Sequence, residues 1–198
     1  MIRIALMSLA IVPAAGRAER FGSAKLVADL GGEPLSARTI RALVAGGVDR
    51  IVVVVAPGSA LLDLREPREV FGSPAVELVV NPDPDRGMFS SIQAGLASAG
   101  GHEVVLVLPA DMPFVRPATV AAVLAAAARG DAVILPTCRG SHGHPIGLPG
   151  SLAPELLLAD PRSSLKQALA STGVEHHELP VDDEGVLRDV DVPRDLDR

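Results

Sequence analysis

The 198-residue chain contains no tryptophan or tyrosine, only four phenylalanines, and a single cysteine, Cys138. With so little aromatic bulk, the core must be assembled from Val, Leu, Ile and Ala. One cysteine cannot close an internal disulfide, which fits a reducing cytoplasm as the location. Positive charge is also scarce: 18 Lys and Arg stand against 24 Asp and Glu, for a net charge of −6. An acidic chain lacks the basic field of a general nucleic-acid binder. No run approaches the ~20 continuous apolar residues of a spanning helix, so no membrane segment is expected. Met1 to Ala15 resembles a secretory signal only faintly. Cleavage near Ala15 would remove the first strand of a repeating α/β pattern, so the chain is read as cytoplasmic.

Hydrophobic residues make up 48% of the chain, and at this length one domain can bury roughly 70% of its unfolded surface. Short β-branched runs alternate with helical stretches. Strands are expected at Met7–Val12, Ile51–Ala56, Val76–Val80, Val104–Leu108, Ala132–Leu135, Pro145–Leu148 and Val174–Leu179. Helices are expected at Pro34–Ala45, Ser59–Glu66, Ser90–Ala99, Pro117–Arg129, Ser151–Leu158 and Ser163–Ala170. The runs Ile51–Val55 and Val104–Leu108 do not alternate with polar residues, so they read as strands covered on both faces. No linker or internal repeat appears. The expected architecture is a single three-layer, Rossmann-like α/β domain over residues 1–198, with a mostly parallel mixed sheet of about seven strands.

Ligands of open α/β sheets sit outside the carboxyl ends of the strands, and the chemically suggestive residues of this chain fall there. After the first strand comes Pro13-Ala14-Ala15-Gly16, followed by Arg20, Gly22 and Lys25. Glycine lets a backbone approach a ligand closely with its N–H groups turned inward, and two cations add charge for several phosphates. The loop suits a nucleoside triphosphate. It is not a Walker A loop, because Phe21-Gly22-Ser23 stands where Gly-Lys-Ser/Thr would be needed. It is not a dinucleotide fingerprint either, because Ala18 occupies a required glycine.

Beyond the fourth strand, Leu108-Pro109-Ala110-Asp111-Met112-Pro113 presents one carboxylate. Mg²⁺ takes one or two carboxylates together with phosphate oxygens and water, and Asp111 suits that role. It would equally suit a cap on the helix near Pro117 or a turn. In Asp189-Val190-Asp191, alternation puts two carboxylates on one side of an extended segment; a solvated acidic tail is the other reading. Ser90 and Ser91 could cap a helix or hydrogen-bond a base or ribose. Cys138, His142 and His144 do not have a zinc spacing.

The run Pro13-Ala14-Ala15-Gly16-x-x-x-Arg20-Phe21-Gly22-x-x-Lys25 resembles the L-A-A-G-x-x-x-R-F/M-G-x-x-K opening of the MobA-like NTP transferases, which have the nucleotide-diphospho-sugar transferase fold. The resemblance continues in order through Asn81, Gly87-Met88-Phe89-Ser90-Ser91-Ile92, Leu108-x-x-Asp111-Met112-Pro113, Gly143-His144-Pro145 and Asp189-Val190-Asp191-Val192-Pro193-Arg194-Asp195-Leu196. Within that family the later motifs are similar to those of the MocA-like molybdenum cofactor cytidylyltransferases. Phe89 replaces the first serine of the usual S-S-S, and Ser141-His142-Gly143-His144 replaces Arg-Gly-His, at positions where base and acceptor would be chosen.

The resemblance implies transfer of CMP from CTP to a phosphorylated acceptor, molybdopterin foremost, with release of pyrophosphate. Another phosphorylated acceptor (a sugar or alcohol phosphate), GTP as donor, or a non-catalytic accessory role beside a molybdoenzyme are the alternatives, with a molybdoenzyme or chaperone as partner. It implies Arg20, Lys25 and Asp111 as catalytic residues. Ala14, Ala15, Gly16, Asn81, Ser90 and Ser91 would bind the nucleotide, and His144 would border the acceptor. Asp111 and Asp191 would share one Mg²⁺, with Asp189 a weaker candidate.

Overall fold

Three uninterrupted apolar strands form the centre of the molecule. β1 (Ser8–Ala14) and β4 (Val104–Val107) are buried at every residue, and β2 (Arg50–Val55) at every residue after Arg50. The structure is a computed structural model and describes residues 7–16, 25–63, 76–99 and 101–191. Parallel pairing joins β2 to β1, β1 to β4 and β2 to β3 (Val76–Val80). β7 (Ile146–Pro149) then runs antiparallel between β4 and β5 (Val133–Cys138). β5 also carries the two-residue β6 (Ser141–His142), antiparallel, and β8 (His176–Pro180), parallel. Among the described residues the result is an eight-stranded mixed sheet, in which β6 and β7 run against the rest.

Side chains alternate across a strand, so each central strand feeds two cores. Ala10, Val12, Ile51, Val53 and Leu106 pack with Ile40 and Leu43 of α1 (Leu35–Ala45) and with Val120 and Val123 of α3 (Pro117–Ala127). Leu9, Ile11, Val52, Val54, Val105 and Val107 face the opposite layer. There they meet Phe89, Ile92 and Leu96 of α2 (Met88–Ala99), Leu156 of α4 (Ala153–Leu158), and Leu165 and Leu169 of α5 (Leu165–Thr172). Each fully buried aliphatic side chain contributes about 1.5–3 kcal/mol relative to exposure. These three layers therefore account for stability with little aromatic mass.

Three local differences from the sequence reading have clear causes. β1 extends to Ala14 and includes Pro13, a residue without a ladder donor. Pairing to β4 stops at Ile11, so Pro13 lies beyond that shared stretch. The helix expected at Ser59–Glu66 is a short 3₁₀ turn over Ala60–Asp63, and positions 64–66 fall outside the described residues. The segment Arg139–Gly143, which lies between the strands expected at Ala132–Leu135 and Pro145–Leu148, closes a hairpin into β6. Arg139 (φ 52°) and Gly140 (φ 77°) both take the left-handed region that a tight two-residue turn requires. Two residues are too few to show a strand period, and arginine is an unusual occupant of that conformation.

This topology leaves the carboxyl ends of β1, β2, β3 and β4 opening onto one edge, where four loops meet. Among the described residues, no helix is long and apolar enough to cross a membrane.

Candidate active site

The loop after β3 is built around a buried side chain. Asn81 is 3% exposed, and its N–H donates to the Val55 carbonyl (2.9 Å). Its side-chain amide donates to Ser90 Oγ (2.8 Å) and Ser91 Oγ (3.0 Å), while its Oδ1 accepts from the Asp83 N–H (3.0 Å). Ser90 in turn donates to the Gly87 carbonyl (2.7 Å). The polar atoms of Asn81 and Ser90 are thus directed at each other and at their own loop. Ser91 lines a cleft. Phe89 is 2% exposed and packs in the core beneath α2, so this departure from the family pattern faces the sheet.

Two adjoining clefts share Ala14, Ala15, Gly16, Lys25, Leu26 and Pro84. The wider, about 560 Å³, extends under the loop after β2, Ala56 to Leu61. The narrower, about 350 Å³, runs past Gly87 and Ser91 to Asp111 and Asp191. The Ala56–Leu61 wall escaped the sequence reading. Its Ala-Pro-Gly-Ser turn follows a buried strand, as the loops after β1 and β4 do, but it carries no charge to draw attention.

At the end of the narrower cleft, Lys25 Nζ donates to Asp111 Oδ2 (2.9 Å) and Asp191 Oδ1 (3.1 Å). The lysine side chain is 11% exposed and the Asp191 side chain 58%. Backbone and hydroxyl contacts fix all three. Ser36 Oγ holds the Leu26 carbonyl (2.8 Å), Thr39 Oγ1 holds the Ala110 carbonyl (2.9 Å), and the Val190 N–H holds the Asp111 carbonyl (2.9 Å). Burial alone would lower the Lys25 pKa, but the hydrogen bonds and charges of Asp111 and Asp191 outweigh it, and the pKa is raised. Lys25 is therefore a firm cation at neutral pH. Asp189 is pushed up, by burial and then by the negative charges of Asp191 and Asp111, against its own backbone hydrogen bond and Lys25. One described ammonium thus faces a local surplus of carboxylate.

That surplus fits a hard cation. Two carboxylate oxygens lie within 3.1 Å of one point, and two carboxylates leave the remaining positions of an octahedral ion to phosphate and water. Among the described residues no three His, Cys, Asp or Glu side chains form a ready-made cage. Cys138 is buried, and His142 Nε2 instead lies 2.8 Å from Glu178 Oε1. Arg20 falls outside the described residues. Asp111 does not cap α3; a different carboxylate, that of Asp183, accepts the Arg116 N–H there (2.9 Å).

His144 is partly buried near Asp111, though it lines neither cleft. Burial lowers its pKa, and the Asp111 charge opposes this. A histidine whose folded pKa is depressed binds fewer protons folded than unfolded. Its contribution to stability is present above the unfolded value of about 6.5 and is lost as pH falls through the folded value. The melting temperature should therefore drop as pH falls from about 6.5 through that range, and His144→Gln should flatten this part of the profile. Superimposable profiles for the two proteins would count against a buried neutral imidazole.

Comparison with known proteins follows the same lines. The family described as MobA-like NTP transferase domain matches residues 10–179. A 2-C-methyl-D-erythritol 4-phosphate cytidylyltransferase of Streptomyces avermitilis is 30% identical over 168 residues, covering 81% of this chain and 66% of that protein. A phosphoenolpyruvate guanylyltransferase of Nocardia farcinica is 33% identical over 156 residues, covering 74% and 62%. The chain thus aligns with less than two thirds of the length of these curated relatives. A Mycobacterium tuberculosis protein solved in complex with manganese shares the fold, with a TM-score of 0.76 at 20% identity, covering 97% of each chain.

Proposed function

We propose that this chain, which belongs to the MobA-like NTP transferase domain family, is a nucleotidyltransferase that joins CMP from CTP to a phosphorylated small molecule and releases pyrophosphate. The observation that carries the proposal is the Lys25 ammonium held between Asp111 and Asp191 at the floor of a cleft walled by Ala14, Ala15 and Gly16. It places a buried cation and two hard-oxygen donors beside backbone that can approach phosphate closely.

In the reaction, an oxygen of the acceptor phosphate attacks the α-phosphorus, and the bond from that phosphorus to the oxygen bridging to the β-phosphate breaks. The acceptor phosphate is already anionic at neutral pH, so no strong general base is needed, and catalysis rests on alignment and charge neutralisation. Lys25 leaves the carboxylates to meet the triphosphate, and Arg20, assigned from its motif, adds the second cation. N–H groups around Ala14 to Gly16 line the phosphate path. Asn81 holds Ser90 and Ser91 at the start of α2, and His144 borders the acceptor. Asp111 and Asp191 would hold Mg²⁺, with Asp189 beside them; when bound, the ion neutralises phosphate charge. The manganese complex of the mycobacterial fold neighbour supports a divalent ion here.

The later motifs favour molybdopterin as acceptor and a molybdoenzyme as the eventual partner. The curated cytidylyltransferase relative favours a second reading, a sugar-alcohol phosphate resembling 2-C-methyl-D-erythritol 4-phosphate. Calorimetric titration of CTP, GTP, UTP and ATP with Mg²⁺ tests the donor. CTP is expected to bind about ten-fold tighter than GTP, about 1.4 kcal/mol. A preference for GTP would align the chain with its guanylyltransferase relative instead. Pyrophosphate release with CTP and each acceptor in turn tests the rest, and tight CTP binding without release for any acceptor would favour an accessory protein.

A further inference from the structure

Asp183 takes no part in the chemistry above, yet it is 2% exposed and fully engaged. Its Oδ2 accepts the Arg116 N–H (2.9 Å) and the Thr119 hydroxyl (2.6 Å), and its Oδ1 accepts the Gly185 N–H (3.0 Å). The guanidinium Nε of Arg116 is 3.9 Å from the same carboxylate. Arg116 immediately precedes α3 and provides no side-chain cap of its own. A buried anion from a distant part of the chain therefore closes the start of that helix, where backbone N–H groups and the helix dipole favour negative charge.

From Asp183 the chain continues as a strap that descends the loop joining β4 to α3 in the opposite direction. Gly185 lies so close to the Phe114 carbonyl that a Cβ there would collide with it, and Gly143 has the same relation to the Val186 carbonyl. The His144 N–H donates to the Val186 carbonyl (2.9 Å), the Arg188 guanidinium lies 4.1 Å from the Phe114 ring centroid, and the Val190 N–H donates to the Asp111 carbonyl (2.9 Å). The strap thus meets Thr119 and Arg116, then Phe114, then Asp111. It ends with Asp191 beside Lys25.

We propose that Asp183 is a positioning residue: by anchoring the far end of the strap to α3, it sets the separation of Asp111 and Asp191 and hence the affinity of that pair for a divalent cation. This rests on reading the two carboxylates as a metal site. Three donors converge on the two carboxylate oxygens of Asp183, and an amide would keep one oxygen and turn an NH2 toward donors, so Asp183→Asn loosens the anchor and lets the Asp191 end drift.

The test is Mn²⁺ alone, titrated into full-length protein and followed by electron paramagnetic resonance, with melting temperatures measured in parallel. Asp183→Asn should weaken Mn²⁺ binding by about ten-fold, the scale on which outer-shell partners tune a metal site. In an Asp191→Asn background the same change should add almost nothing, because the two residues act through one element. Wild-type Mn²⁺ binding in Asp183→Asn, with only a lowered melting temperature, would overturn the proposal. So would a full additional loss in the double variant. If Asp191→Asn itself binds Mn²⁺ normally, the metal-site reading fails, which is a separate result from normal binding in Asp183→Asn alone. Should Asp183→Asn not fold, Thr119→Val removes a single donor to the carboxylate and should weaken binding in the same direction; unchanged binding there overturns the proposal.

Discussion

Replacing Lys25 with alanine is expected to lower nucleotidyl-transfer turnover by about a hundredfold or more, the loss seen when one preorganised electrostatic donor is removed from an active site. The expectation rests on where the ammonium sits. It is nearly buried, its pKa is raised, and it contacts two carboxylates that would otherwise face each other. Its charge is therefore present at neutral pH, beside the cleft that Ala14 to Gly16 line. The same substitution should change metal binding in the opposite sense. Without nucleotide, Lys25 competes with a divalent ion for Asp111 and Asp191, so Lys25→Ala should bind Mn²⁺ more tightly than the wild type while turning over far more slowly. Single-turnover rates and a Mn²⁺ titration give the two readouts. Near-normal turnover in Lys25→Ala would remove the lysine from the reaction. Weaker Mn²⁺ binding would show that the ammonium supports the carboxylate pair rather than competing for it.

The parts of this molecule that could be read in advance are those whose signal is local. The β1, β2 and β4 strands announce themselves as unbroken aliphatic runs, and the rule that ligands gather at strand carboxyl ends directs attention to Lys25 and Asp111. What brings Asp191 to them is not local. The strap is registered by the Val190 N–H on the Asp111 carbonyl and the His144 N–H on the Val186 carbonyl, and backbone bonds leave no trace in residue identity. Direction is also invisible. Asn81, in the loop after β3, and Ser90, in the first turn of α2, are polar residues near strand carboxyl ends, so the sequence offers them to a ligand, whereas the fold turns their polar atoms on each other. Phe89 shows the converse, a substitution within a site motif that points into the core. Asp183 sits in the run Val181-Asp182-Asp183-Glu184, where nothing distinguishes a buried anchor from solvated acid. Only the tertiary proximity of Arg116 and Thr119 does so.

Asp111→Asn should give the second large effect, a rise of about ten-fold or more in the Mg²⁺ concentration needed for half-maximal turnover, about 1.4 kcal/mol at the smaller figure. The substitution keeps size and leaves the backbone carbonyl that receives the Val190 N–H, so the strap retains its contact with the loop. It removes one of the two charges that converge on Lys25 Nζ. A neutral amide is a poorer ligand than carboxylate for a hard divalent ion, and Asp111 supplies one of the two carboxylates that meet at Lys25. Asp191→Asn should move the Mg²⁺ midpoint in the same direction. Asp189→Asn should move it less, because Asp189 is not hydrogen-bonded to Lys25 and its raised pKa reflects burial and repulsion by its neighbours. Measuring turnover against Mg²⁺ at saturating CTP separates the three. Identical Mg²⁺ dependence in wild type and Asp111→Asn would take Asp111 out of the metal site, and would leave its contact with Lys25 as the reason for its place at the end of β4.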